Sequence, residues 1–316
     1  MNTAGRLIIY GAGLAVAFAG AFTVAGAVVP DGFVNEWKDK AQMSEHDGGH
    51  DTMTTSSAAT GPRGLSLAAD GMVLSPVSAP DRAGVDGTLS YRILDADGRP
   101  VVRFARSHEK DMHLIVVRSD GSRFEHVHPT LDTATGTWSI PWTWETGGTY
   151  RVFADFVPAT EEAPSITLTR TVDVAGALNP EPATAVTRTT RVGGFDVSIE
   201  GGLVAGRTSE LDITVKRDGQ PVTELQPYLG AFGHLVALRE GDLGFLHVHA
   251  EGDAPQAGDT AGPTISFMAE APTAGRYLLY LDFQVDGQVR TARLVLDATP
   301  ANTPDTGDEP AHDDDH

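Results

Sequence analysis

The chain has 316 residues, 41% of them hydrophobic, which leaves room for two ordinary domains with packed cores. Its formal charge of −20, from 43 Asp and Glu against 23 Lys and Arg, argues against nucleic-acid or anionic-lipid partners and suits cations. There is no cysteine, so disulfides, thiolate metal sites and a lipid anchor on Cys are excluded.

In chain order, residues 1–5 form a short stub. Arg6 to Val29 then carries no charge after Arg6 and is long enough to cross a bilayer core of about 30 Å as a helix. The expectation is a transmembrane anchor over 6–29, single-pass in the cell membrane, with the stub cytoplasmic and the C-terminal domains extracytoplasmic. A cleaved signal peptide is the competing reading, because Ala-Gly-Ala at 25–27 fits a cleavage site. Either way the remainder is exported. Residues 30–63 are polar and rich in Gly, Ser and Thr, a disordered linker. Its Met43, His46, His50 and Met53 read as part of a solvated stalk, with a weak metal-catching segment as the other reading.

Next come two copies of one unit. "MHLIVVRSDGSRFEHVH" at 112–128 matches "GHLVALREGDLGFLHVH" at 233–249, and "GGTYRVFADF" at 147–156 matches "AGRYLLYLDF" at 274–283. The second spacing is longer because residues are inserted around "EGDAPQAGDTAG", and insertions belong in surface loops. Alternating stretches such as "TLSYRIL" and "ELDITVK", with Asp-Gly turns between them, predict short strands. Gly-x-Tyr before a late strand, at Tyr150 and Tyr277, resembles the tyrosine corner of immunoglobulin-like folds. The expected fold is therefore all-β: two tandem Ig-like β-sandwich domains behind an N-terminal transmembrane helix. They span 64–176 and 191–298, with a joint at 177–190 that holds two prolines. The acidic tail 299–316 is expected to be disordered and solubilising, with loose cation binding by His312 and His316 beside Asp313, Asp314 and Asp315 as the other reading.

The repeat keeps three histidines in register: His113 with His234, His126 with His247, and His128 with His249. A two-residue Asp120-Gly121 hairpin turn places His113 opposite His128 and His126 opposite Ile115. Side chains alternate along a strand, so all three histidines share one face. A Gly241-Asp242 turn likewise sets His234 opposite His249, with His247 on the same face. Imidazoles at such spacings can converge on one ion at about 2.0–2.1 Å per nitrogen. The six histidines are thus candidate metal ligands, one set per domain, against a reading in which they form hydrogen-bonded structural clusters. Without thiolates an S₄ zinc site is excluded, and an imidazole set suits copper, zinc, nickel and iron. Asp155 and Asp282 recur in equivalent strands and are candidate fourth ligands, outer-sphere acceptors that fix an imidazole tautomer, or turn-forming carboxylates. Met112 alternates to the opposite face and is assigned to packing, and His108, without a counterpart in the second repeat, to the surface. The apolar neighbours Ile115, Val117, Phe124, Val236, Leu238 and Phe245 prefer to be covered, which leaves open that the two faces meet and share one ion.

"GFLHVHAEGD" at 244–253 resembles the copper-ligand strand of copper/zinc superoxide dismutases, although Leu246 is interposed and a second zinc segment is missing. The resemblance implies strand chemistry that can hold copper and does not extend to dismutase activity. Over 70–175 and 190–297, Met-His-Leu-x-Val, a turn, Phe-x-His-x-His-Pro and Gly-x-Tyr are similar to exported bacterial proteins with YtkA-like, Ig-type domains that accompany copper or heavy-metal transport. That implies metal ions and a membrane metal transporter as partners. No nucleophile elbow, phosphate loop or HExxH helix argues for an enzyme. With copper first and zinc second, as those resemblances imply, the expected function is extracytoplasmic metal buffering, delivery or resistance; the alternative is a non-catalytic Ig-like scaffold or adhesion-type surface protein.

Overall fold

A computed structural model describes residues 63–160, 163–256 and 258–301. The expected span 6–29, nearly all of the linker 30–63 and the tail from 302 lie outside the described residues. Among the described residues no helix is long and apolar enough to cross a membrane, and the architecture is all-β.

In the first repeat, one sheet runs in the order Ile166–Val174, Gly148–Pro158, His113–Arg118, Glu125–Val127. The opposing strands are Gly87–Tyr91, Thr137–Trp142 and Thr130–Asp132. Inward residues such as Leu89, Leu114, Val116, Trp138, Val152 and Phe156 fill the space between them. Met112 joins this core at 1% exposure, so the packing expectation holds. In the second repeat, Leu203–Val204, Gln288–Thr299, Gly275–Val285 and His234–Arg239 form one sheet. Thr189–Val192, Phe195–Gly201, Thr208–Arg217, Thr264–Glu270 and His247–Ala250 form the other. Both tyrosine corners are present: Tyr150 Oη donates to Thr146 O at 2.9 Å and Tyr277 Oη to Thr273 O at 2.8 Å. Each ties the start of a late strand back to the preceding loop, as Ig-like sandwiches do.

The first hairpin has the expected register, with Leu114 paired to Val127, Ile115 to His126 and Val116 to Glu125. Its turn differs. Gly121 N–H donates to Arg118 O and Arg118 N–H to Ser122 O, a loop one residue longer than the expected Asp-Gly turn. Arg123, at φ 54°, absorbs the offset as a bulge and restores the register.

The second hairpin begins as expected, with Leu238 bridged to Phe245 and Leu246 N–H bonded to Ala237 O. It then departs. His247–Ala250 pairs with Thr264–Glu270 of the opposing sheet, His249 facing Met268, so His234 is not opposite His249. The corresponding chain of the first repeat also changes sheets, but later: 125–127 pairs with the hairpin partner and 130–132 with the opposing sheet. The extra residues after the second His strand, 251–263, give that strand slack to cross early.

The two repeats do not stand apart. The outer face of the first repeat's hairpin sheet lies on the equivalent face of the second. Ile115, Val117, Phe153 and Phe124 on one side meet Val236, Leu238, Tyr280 and Phe245 on the other. All six apolar residues that the sequence marks as needing cover are in this cluster. Phe124 stacks on Tyr280 with ring centroids 3.9 Å apart, and Phe245 lies 6.1 Å from Phe153. Phe124 is the equivalent of Phe245, and Phe153 of Tyr280, so these two contacts are one contact made twice. The interface is isologous, as between subunits of a two-fold dimer. Gly121 lets it close: a Cβ there would stand 2.2 Å from Leu278, and the Gly121 carbonyl accepts from Tyr280 Oη at 2.6 Å. The joint is pinned to both repeats through Asn179 O on Arg118 and Ala183 O on Arg276.

Candidate metal centre

At one end of the apolar interface the same alternation that presents Ile115, Val236 and Tyr280 turns polar. Two residues along each strand it presents His113, His234 and Asp282, with His126 beside Ile115. Nitrogens of His113, His126 and His234 all lie within 4.8 Å of one another. His113 and His234 are equivalent positions, and their rings stack at 5.7 Å with an interplanar angle of 2°. A residue that contacts its own equivalent marks the pseudo-two-fold axis. The expectation of a separate three-imidazole site in each repeat is corrected accordingly: the histidines that converge come from both repeats, because covering the apolar faces brings the His-bearing ends together.

His113 Nε2 is 3.0 Å from Ser107 O, a carbonyl that only accepts, so it carries the proton. His126 Nδ1 is 2.8 Å from Asp282 Oδ2 and donates to it. The other Asp282 oxygen accepts from Thr291 Oγ1 at 2.5 Å. In neutral rings these partners leave lone pairs on His113 Nδ1 and His126 Nε2, which face each other across 3.1 Å. His128 Nε2 lies 3.3 Å from the same His113 Nδ1. Facing lone pairs repel, and a cation relieves them. Two nitrogens on one tetrahedral ion stand about 3.3 Å apart at metal–nitrogen distances of about 2.0–2.1 Å. The buried Asp282 holds His126 by a hydrogen bond of the kind that orients metal-bound imidazoles.

Burial, reinforced by the neighbouring His126, lowers His113 to about 4. Burial likewise takes His128 to about 3, and His234 falls well below the ordinary imidazole range for the same reason. These rings are therefore neutral, the ligand form, at pH values where a free imidazole is protonated.

The remaining predicted residues are placed as follows. His249 is exposed on the crossing strand and lines the cleft into which His113, His126 and His234 also face. His247 opens that strand, in register with Glu270. Asp155 lines the cleft, where burial raises its carboxyl, and it accepts from Thr167 Oγ1 at 2.7 Å and Ser165 Oγ at 3.3 Å. The residue that sequence reasoning missed is His108. Its ring stands 5.2 Å from His234 and 6.1 Å from His113. A search guided by the repeat passes over it because Leu229 holds the equivalent position.

Residues 68–176 and 190–300 each match the family described as a domain of unknown function, DUF8832, and the chain belongs to that family, carrying the domain twice. No curated protein matches the sequence. Among solved structures, a Salmonella alpha-2-macroglobulin mutant is similar at 14% identity and a TM-score of 0.25, over 76% of this chain and 15% of its own. The Yersinia pseudotuberculosis adhesin InvE is similar at 12% identity and 0.20, over 71% of this chain and 58% of its own. The bacterial integrin-binding protein invasin is similar at 12% identity and 0.21, over 72% and 39%. The chain thus spans less than two thirds of each of these three structures, and at these scores they carry no functional argument.

Proposed function

We propose that this protein is a rigid two-sandwich scaffold that holds one transition-metal ion in the interface between its repeats, copper first and zinc second. The observation that carries the proposal is the pair of lone-pair nitrogens, His113 Nδ1 and His126 Nε2, fixed 3.1 Å apart by Ser107 O and Asp282. An all-imidazole ligand set suits copper and zinc, and copper binds more tightly at a given nitrogen site. The ion's role is buffering, delivery or resistance rather than catalysis. The apolar stretch 6–29 supports a membrane anchor with the sandwiches on the extracytoplasmic side, within reach of a membrane metal transporter.

The test is elemental analysis of residues 59–316 after loading with copper or zinc and gel filtration. One ion per chain is expected, lost in His126→Ala and equally in His234→Ala, with circular dichroism confirming that both variants fold. Two ions per chain, or no binding tighter than about 100 μM (roughly −5.5 kcal/mol), overturns the reading.

A second reading is an adhesion-type or structural scaffold without metal, and the hydrogen bonds between repeats favour it. A proton on His126 Nε2, donated to His113 Nδ1 and balanced by Asp282, relieves the same repulsion. The histidine cluster then serves as the polar end of an interface whose apolar end is already closed. On both readings the rigid pairing of the sandwiches is common ground.

A further inference from the structure

We propose that His108 is a further ligand of this centre, the solvent-facing imidazole that completes coordination around the buried histidines; the inference rests on the metal reading above.

His108 belongs to a tight turn. Ser107 N–H donates to Lys110 O and Lys110 N–H to Ser107 O, while His108 and Glu109 have φ of 47° and 64°. Two consecutive positive φ values define a turn that favours glycine and asparagine, and neither is present. The second repeat builds the same turn at Tyr228–Ala231, with Leu229 and Gly230 at positive φ. There the non-glycine side chain is Leu229, buried at 1% exposure. The first repeat places an exposed imidazole at the equivalent point instead. The backbone shape is therefore shared and the histidine is what differs, so the turn alone does not explain it.

The turn serves the cluster in two ways. Its Ser107 carbonyl fixes the His113 tautomer. Its His108 ring lies 5.2 Å from His234, within 0.2 Å of the 5.0 Å between His126 and His234. Two imidazoles on one tetrahedral ion have ring centroids roughly 5 Å apart, given metal–nitrogen distances of about 2.0–2.1 Å. Among the described residues the His108 ring has no hydrogen-bond partner, so both its nitrogens are available. His234 is half-buried and His108 is exposed, so His108 is the member of the cluster on the solvent side.

The experiment compares wild type with His108→Gly, which suits the turn's positive φ and leaves room for a free imidazole. Cobalt(II) is the probe, because its visible absorption reports coordination number. Wild type is expected to bind one cobalt. The variant should keep the stoichiometry and lose at least the roughly 10-fold in affinity that an outer-sphere partner is already worth. Its absorption should change, and added imidazole should restore both affinity and spectrum. If the variant binds cobalt with wild-type affinity and spectrum, or imidazole restores neither, His108 is not a ligand and the buried site stands without it. If wild type takes up no cobalt, copper or zinc, both this inference and the metal reading fall.

Discussion

Changing Asp282 to Asn separates a metal site from a structural cluster, because a metal needs the lone pair of His126 Nε2 and the structural cluster puts a proton there. Asp282 is 2% exposed, and its two oxygens accept from His126 Nδ1 and Thr291 Oγ1. In Asp282→Asn the amide oxygen can keep the Thr291 bond while the amide nitrogen donates to His126 Nδ1. The ring then carries its proton on Nε2 and donates it to His113 Nδ1, 3.1 Å away. Every group is satisfied, so the metal-free variant should unfold in urea within about 1 kcal/mol of wild type, the net worth of one hydrogen bond. A metal must undo this arrangement. Binding at Nε2 returns the proton to Nδ1, where it meets the amide N–H, an unsatisfied buried donor costing about 1–3 kcal/mol. Affinity should therefore drop roughly 10–100-fold, measured by competition with a chromophoric chelator. A variant that binds within threefold of wild type would refute the tautomer argument. So would a metal-free variant destabilised by 3 kcal/mol or more, which would mean that the carboxylate charge itself holds the cluster together.

Two further outcomes follow from the same geometry. His113 has its folded-state pKa lowered to about 4 against an ordinary 6.5, so between those values the unfolded chain binds more protons. Stability of the metal-free protein should be fully present above about pH 6.5 and fall as pH drops toward 4, by on the order of 3 kcal/mol for this group. Urea midpoints that stay flat from pH 7 to 4.5 would contradict the neutral buried imidazole. At the apolar end, Phe124→Ala removes the ring stacked on Tyr280 and should cost about 3 kcal/mol, read from chemical unfolding. A loss below 0.5 kcal/mol would mean that the two sandwiches hold together by other contacts.

Much of this was legible in the sequence because a strand's period of two is a strong signal. The duplication, the tyrosine corners, the shared face of His113, Ile115 and Val117, and the need to cover it were all read from residue order. So was the first hairpin's register, although there a longer loop and a bulge at Arg123 cancelled. Two features were not legible. The second His strand crosses to the opposing sheet because pairing with Thr264–Glu270 competes with the hairpin, and one strand's pattern does not say which partner wins. His108 has no counterpart in the repeat; what gives it a place is a turn geometry that Leu229 and Gly230 show more openly than His108 and Glu109 do.

The symmetry explains why two copies make one histidine cluster. When equivalent faces pack about a two-fold axis, residues far from the axis form two equivalent contacts and residues on it meet their own counterparts. Phe124 on Tyr280 and Phe245 near Phe153 are of the first kind, and they hold the sandwiches in one orientation. His113 against His234 is of the second kind. A histidine on the axis is therefore doubled by duplication without any further change. The repeats need not stay equal around it: Asp282 grips His126, while its equivalent Asp155 bonds Thr167 and Ser165. One chain can then tune one half for ligand orientation and the other for access, which two identical subunits could not do. His108, present in one repeat and replaced by Leu229 in the other, is a change of that kind.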